Sequence, residues 1–257
     1  MKHDLKVTFL IVALFLAAQY IGLAIVNNSE ILPYDIERPV LSQEYGYLEF
    51  MAYILVATAF AFLIAYFGLA VLWKIIFFLS VFFCLTIAFG AFVPDNFALL
   101  AALIFTILKT LRLSSILYNF TELFIYGGLA ALFVPSLSLY SISILLVLIS
   151  IYDAIAVWKT KHMIKMAKFQ AKAKMFSGLL IPYKKRIAIL GGGDIGFPLI
   201  FSGVAFNSLG FKALIIPIFV TLSLLILLIQ SNKNKFYPAM PFLTAGCFIG
   251  YLITTFL

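Results

Sequence analysis

The sequence predicts an all-α polytopic membrane protein, a single domain of nine transmembrane helices spanning residues 1–257, and three observations lead there. Apolar residues make up 65% of the chain and charged residues 11%, against roughly 45–50% and about 25% in a soluble domain. The apolar residues fall in runs of about 20, the length at which a helix crosses a hydrocarbon layer of about 30 Å. The basic residues gather on one side of the resulting layout. Such a chain has lipid as its solvent. That excludes a soluble enzyme, a disordered chain and a nucleic-acid reader, despite a formal net charge of +8. In a membrane protein Lys and Arg report orientation first.

The first span is predicted at 6–27. Lys2 and Lys6 precede it as in a secretory signal, but the apolar part of a signal is only about 7–15 residues, shorter than this run. Spans follow at 47–68 and 71–93. Pro94-Asp95-Asn96 makes a turn, and the fourth span is 96–113. The stretch 121–158 is too long for one helix, so Pro135 and the serines around it divide it into 121–139 and 141–158. The last three spans are 187–208, 212–230 and 238–257. With the N-terminus in the cytoplasm, 16 of the 18 Lys and Arg residues fall on the cytoplasmic side, and only Arg38 and Lys212 lie outside. The C-terminus is then external. Cys84 and Cys247 sit in apolar runs and read as small buried hydrophobes.

Most of the ten acidic residues lie in tails, loops or, like Glu49 and Glu122, at helix ends where they reach the interface. Asp153 and Asp194 fall within spans, where a charge costs several kcal/mol and marks function by default. Asp153 lies six residues before Lys159, about 9 Å deep; Asp194 lies eight residues past Arg186, about 12 Å deep if helical. Consecutive antiparallel helices are usually neighbours. Two carboxyl groups at similar depth then share a proton, the arrangement of aspartic-protease chemistry. Gly191, Gly192 and Gly193 loosen the backbone before Asp194 and leave room for a substrate backbone. Pro238-Ala239-Met240-Pro241 opens the last span on the same side and offers unpaired backbone groups as a docking edge. Ile187-Ala188-Ile189-Leu190 is β-prone; paired with Leu179-Leu180-Ile181 across Pro182 and Tyr183, it would form a hairpin to which an unwound substrate adds as a strand.

These residues carry a family resemblance. Tyr152-Asp153, Gly191-Gly192-Gly193-Asp194 and Pro238-Ala239-Met240 resemble the YD, GxGD and PAL signatures of presenilins and signal peptide peptidases. The run from Tyr152 to Val157, continuing through Thr160-Lys161-His162-Met163, is similar to the archaeal presenilin homologues. Met240 stands where the family has Leu, a change of little volume. The cytoplasmic N-terminus resembles the presenilin branch; signal peptide peptidases have it outside.

The resemblance implies an intramembrane aspartyl protease of the cell membrane. It would hydrolyse peptide bonds within transmembrane helices using Asp153, Asp194 and water, with no metal or organic cofactor. Spans one to five (1–139) would be scaffold, and 140–257 catalytic. Its partners would be transmembrane-helix substrates and the bilayer. The cytoplasmic loop 159–186 is much shorter than in presenilin-type enzymes that cut themselves there, so accessory subunits are not expected; homo-oligomerisation is left open. Lys161, Lys165, Lys168 and Lys172 put a basic stripe on a helix lying against anionic lipid. That loop partly covering the site is a second reading. A zinc or serine protease lacks its histidine, because His3 and His162 fall outside the spans. The alternative function is an ion- or proton-coupled transporter or channel, which also places Asp residues in broken helices.

Overall fold

The computed structural model describes residues 4–42, 45–111, 114–160, 169–170, 175–183, 186–231 and 237–256. The described residues carry nine long helices: α1 (Leu5–Asn28), α2 (Gly46–Tyr66), α3 (Ala70–Gly90), α4 (Asp95–Leu111), α5 (Ser115–Phe133), α6 (Leu139–Ile155), α7 (Gly192–Leu209), α8 (Ile216–Gln230) and α9 (Met240–Phe256). A two-stranded antiparallel hairpin, β1 (Gly178–Tyr183) and β2 (Arg186–Gly191), precedes α7. By length and hydropathy, six helical stretches are able to cross a membrane. The longest of these, Gly192–Gln230, contains α7 and α8 joined by the 3-10 turn Gly210–Ile215.

Two predicted boundaries are corrected. The fifth helix starts at Ser115, well before residue 121, because Ser114 caps it by accepting from the Leu117 amide at 3.0 Å. Glu122, read as a helix end in the sequence, lies inside α5 with Asn119 and Thr121, and each of the three has a partner that lets it stay there. The seventh helix starts at Gly192; residues 187–191 are extended rather than helical. The two cysteines are free, Cys84 half-buried and Cys247 buried.

The central layer is α1, α5, α6, α7, α8 and α9, whose buried residues form one apolar core with both strands. Phe15, Leu145, Leu146, Leu199, Phe201 and Leu243 lie in it with no exposed surface. A second cluster joins α3, α4 and α5 around Phe77, Leu85 and Ala102. By contrast α2 buries only Gly46, Phe50 and Ile64, and it packs on α6 and α3. Tyr47, Met51 and Ile54 pack partly against the core, while Tyr53, Leu55, Val56, Phe60 and Leu63 face outward, as expected of a helix solvated by lipid. Opposite the hairpin, Arg38 ties the α1–α2 connection down by donating to the carbonyls of Ser29, Glu30 and Ala131.

Candidate active site

Asp153 lies in the last turn of α6 and is 9% exposed. A single π-turn, Ala156–Thr160, follows it at once; such widened turns recur at functional sites. The Asp153 carboxylate accepts the Met240 amide at 3.1 Å and also bonds the backbone of Ala239. Met240 is the first residue of α9, so the Asp153 carboxyl sits at a helix N-terminus, where the dipole and free amides favour its ionised form. Ala239 and Met240 thus meet Asp153, and the Met240 amide, expected to be unpaired, is held by it. Tyr152 bonds the Thr58 side chain of α2, and Ser150 bonds Thr244 of α9 at 2.8 Å.

Asp194 is the third residue of α7, not a residue eight positions into a helix. The depth expected for it assumed helical rise from Arg186, but β2 covers that stretch at about 3.3 Å per residue. The glycines accordingly stand at a helix start rather than in its interior. Gly191 caps α7, and its backbone bonds the Asp194 carboxyl. A Cβ on Gly192 would lie 2.7 Å from the Tyr126 hydroxyl and 2.9 Å from Ser177 Oγ, so a larger residue here would have to displace these side chains. Gly193 is exposed, and a Cβ there would meet Phe197 at an ordinary 3.5 Å. The three glycines thus do different things: Gly192 is closed against Tyr126, while Gly193 leaves space.

Asp153 and Asp194 line one cavity of about 350 Å³, close enough for their charges to interact. Its walls include Met51, Ile54 and Thr58 of α2, Tyr152 of α6, Gly191, Gly192, Gly193 and Phe197 of the α7 segment, and Met240. Gln170, Phe176 and Ser177 from the 159–186 loop also line it. The stripe residues Lys161, Lys165, Lys168 and Lys172 lie outside the described residues.

The hairpin forms where the sequence placed it, but Pro182 and Tyr183 belong to β1 rather than to its connection with β2. Leu179 pairs with Leu190, Leu180 with Ile189 and Ile181 with Ala188. Ala188 and Leu190 are buried in the core, whereas Ile187 and Ile189 are 58% and 50% exposed. None of 187–190 lines the aspartate cavity. The Leu180 amide and carbonyl both bond the Asn119 side chain, at 2.9 and 2.8 Å, so they point away from β2. By the alternation of an antiparallel ladder, its bonds fall at Leu179–Leu190 and Ile181–Ala188. The outward backbone groups of β2 are then those of Ile187, Ile189 and Gly191. Pro182 shares the outward parity on β1, where lacking an N–H breaks no ladder bond.

Three features went unread in the sequence. Glu122, placed at an interface, is 1% exposed inside α5 and pairs with Lys109 at 2.6 Å. Gln19 of α1 donates to the carbonyl of Ile195, next to Asp194, at 2.9 Å. Pro198 stands inside α7 and has no N–H for the carbonyl of Asp194 four residues before it. Proline inside an apolar run is visible in a sequence; the partners of Glu122 and Gln19 lie far along the chain and are not.

The family model described as signal-peptide peptidase, presenilin aspartyl protease matches residues 7–194, more than half of the chain and inclusive of both aspartates. No curated protein matches the sequence. Two solved structures of a presenilin family intramembrane aspartate protease, in space groups C222 and P2, share the fold at 22% identity, with TM-scores of 0.71 and 0.70. The first alignment covers 96% of this chain and 98% of the other; the second covers 95% and 96%. With two aspartates brought from separate helices onto one cavity, the family match identifies the chain as a member of the signal-peptide peptidase and presenilin family, and so as an aspartyl protease of the membrane.

Proposed function

We propose that Asp153 and Asp194 form the catalytic dyad of an intramembrane endopeptidase that cuts transmembrane helices. The observation that carries this reading is the shared cavity, with both carboxyl groups on its wall and backbone amides bonded to each. One carboxylate takes a proton from water, whose oxygen attacks the scissile carbonyl carbon. The protonated partner gives its hydrogen to the carbonyl oxygen. The tetrahedral intermediate collapses as the amide nitrogen takes up a proton and leaves as an amine. Gly193 leaves room for the substrate backbone, and the Pro238-Ala239-Met240 turn holds Asp153. An unwound substrate segment adds to the outward edge of β2, where Ile187 and Ile189 present backbone groups; in lipid those groups of the substrate need partners.

The nine helices serve as nine spans, with the N-terminus in the cytoplasm and the C-terminus outside, in the cell membrane. The basic-residue distribution supports this orientation. Residues 1–139 are scaffold and 140–257 carry the chemistry, without accessory subunits. No observation favours the transporter alternative. The test is cleavage of a labelled transmembrane peptide by the protein in vesicles. Asp153→Asn and Asp194→Asn should each abolish it with thermal stability kept, because removing one of two facing carboxyls relieves repulsion. A variant with normal turnover would overturn the dyad.

A further inference from the structure

The side chains by which α5 faces the hairpin take no part in the proposed chemistry, yet they are buried and fully engaged. Lys109, in the last turn of α4, is 1% exposed. Its Nζ lies 2.6 Å from Oε1 of Glu122, 3.2 Å from Thr121 Oγ1 and 3.6 Å above the Tyr118 ring. The second oxygen of Glu122 accepts from the Tyr126 hydroxyl and from the Gly178 amide, the latter at 3.2 Å. Tyr126 also bonds the Ser177 side chain. One turn before Glu122, Tyr118 donates to the Phe176 carbonyl, and Asn119 takes both backbone groups of Leu180. Residues 118, 119, 122 and 126 make one helical face. That face satisfies the backbone from 176 to 180 much as a neighbouring strand would.

The segment so held lies directly across from the lead-in to Asp194. Gly178 pairs with Gly191, and the Gly192 amide donates to the Ser177 carbonyl at 3.1 Å. A one-residue slip of β1 would therefore shift the Gly178–Gly191 pairing at the start of α7 by about 3.3 Å and turn the buried Leu179 and Ile181 outward. Stability alone gives little reason for an ion pair here, since apolar side chains of similar volume would serve as well. What the carboxylate adds is a fixed, charge-assisted acceptor for the Gly178 amide.

We propose that Glu122, with Lys109 as its counter-ion, and Asn119 are positioning residues: they lock β1 on α5 and thereby set where Asp194 stands relative to Asp153. They also close the β1 edge, so that only β2 is open to a substrate strand. This rests on the proteolytic reading above, and its test separates the two.

Amide exchange at Gly178 and Leu180, measured without substrate, reads the clamp directly. Peptide cleavage reads kcat and KM. Asn119→Ala should speed exchange at Leu180 and lower kcat about tenfold or more, as small misplacements of reacting groups do. Removing Glu122 alone strands a buried Lys109 and risks unfolding, so two neutral pairs are compared. Lys109→Met with Glu122→Gln keeps an acceptor for Gly178 and should keep kcat close to wild type. Lys109→Met with Glu122→Leu keeps the volume but no acceptor; with comparable thermal stability, its kcat should fall about tenfold or more while KM changes little. Unchanged exchange at Gly178 and Leu180, or wild-type kcat in the Leu pair, would overturn the proposal. Cleavage that survives Asp153→Asn would instead sink the proteolytic reading, and the exchange data would still decide whether the clamp exists.

Discussion

Replacing Ile189 with proline removes one N–H from the outward edge of β2 and leaves the hairpin's own ladder intact. The parity follows from Asn119, which takes the amide and carbonyl of Leu180, the residue paired with Ile189. If the substrate adds as a strand there, its carbonyl opposite residue 189 loses a donor in surroundings without water. A buried polar group left unpaired costs about 1–3 kcal/mol, which corresponds to about 5- to 160-fold in kcat/KM. Ala188→Pro is the contrast. Its N–H faces Ile181 within the ladder, and the residue is 1% exposed, so the damage should appear as lost thermal stability before any substrate is added. The assay is cleavage of a labelled transmembrane peptide in vesicles, alongside thermal unfolding and binding of a hydroxyl-bearing transition-state mimic. Ile189→Pro should bind the mimic, unfold near the wild-type temperature and cleave slowly. Cleavage at the wild-type rate would refute strand addition at this edge.

Further outcomes are expected. Gly192→Ala should destabilise the fold by about 1–3 kcal/mol, because its Cβ would press on the Tyr126 hydroxyl at 2.7 Å; Gly193→Leu should leave the melting temperature nearly unchanged and cut turnover. Initial rates should follow a bell in pH, lost at low pH when both carboxyls are protonated and at high pH when both are ionised, with EDTA without effect. Lys109→Ala should cost about 3–5 kcal/mol in denaturant unfolding, since it leaves the Glu122 charge buried without its counter-ion.

The helices were legible because lipid demands long apolar runs, and the motif residues because Asp153 and Asp194 are costly where they stand. The hairpin too could be read, from β-prone residues beside a charged break at Lys184-Lys185-Arg186. What escaped was set by tertiary partners. Glu122 looked interfacial because it is a charge near a polar stretch; Lys109 and Gly178, brought to it by the fold, join Tyr126 in keeping it inside α5. The glycines before Asp194 looked alike, and Tyr126 and Ser177, packed against one of them, distinguish Gly192 from Gly193. The π-turn after Asp153 left no mark in its sequence, Ala156-Val157-Trp158-Lys159-Thr160.

The walls of the aspartate cavity have a bearing on which helices are cut. Met51, Ile54 and Phe197 are apolar, and so is the lipid from which a substrate helix would come. Moving that helix from lipid onto these side chains yields no hydrophobic free energy, because neither surrounding is water. Affinity for an intact helix is then weak and tolerant of its side chains. Selection falls instead on the energetic cost of opening the helix over the few residues that must reach the dyad. Substrates with glycine or β-branched residues beside the scissile bond, which hold a helix less firmly, would be chosen over those rich in leucine and alanine.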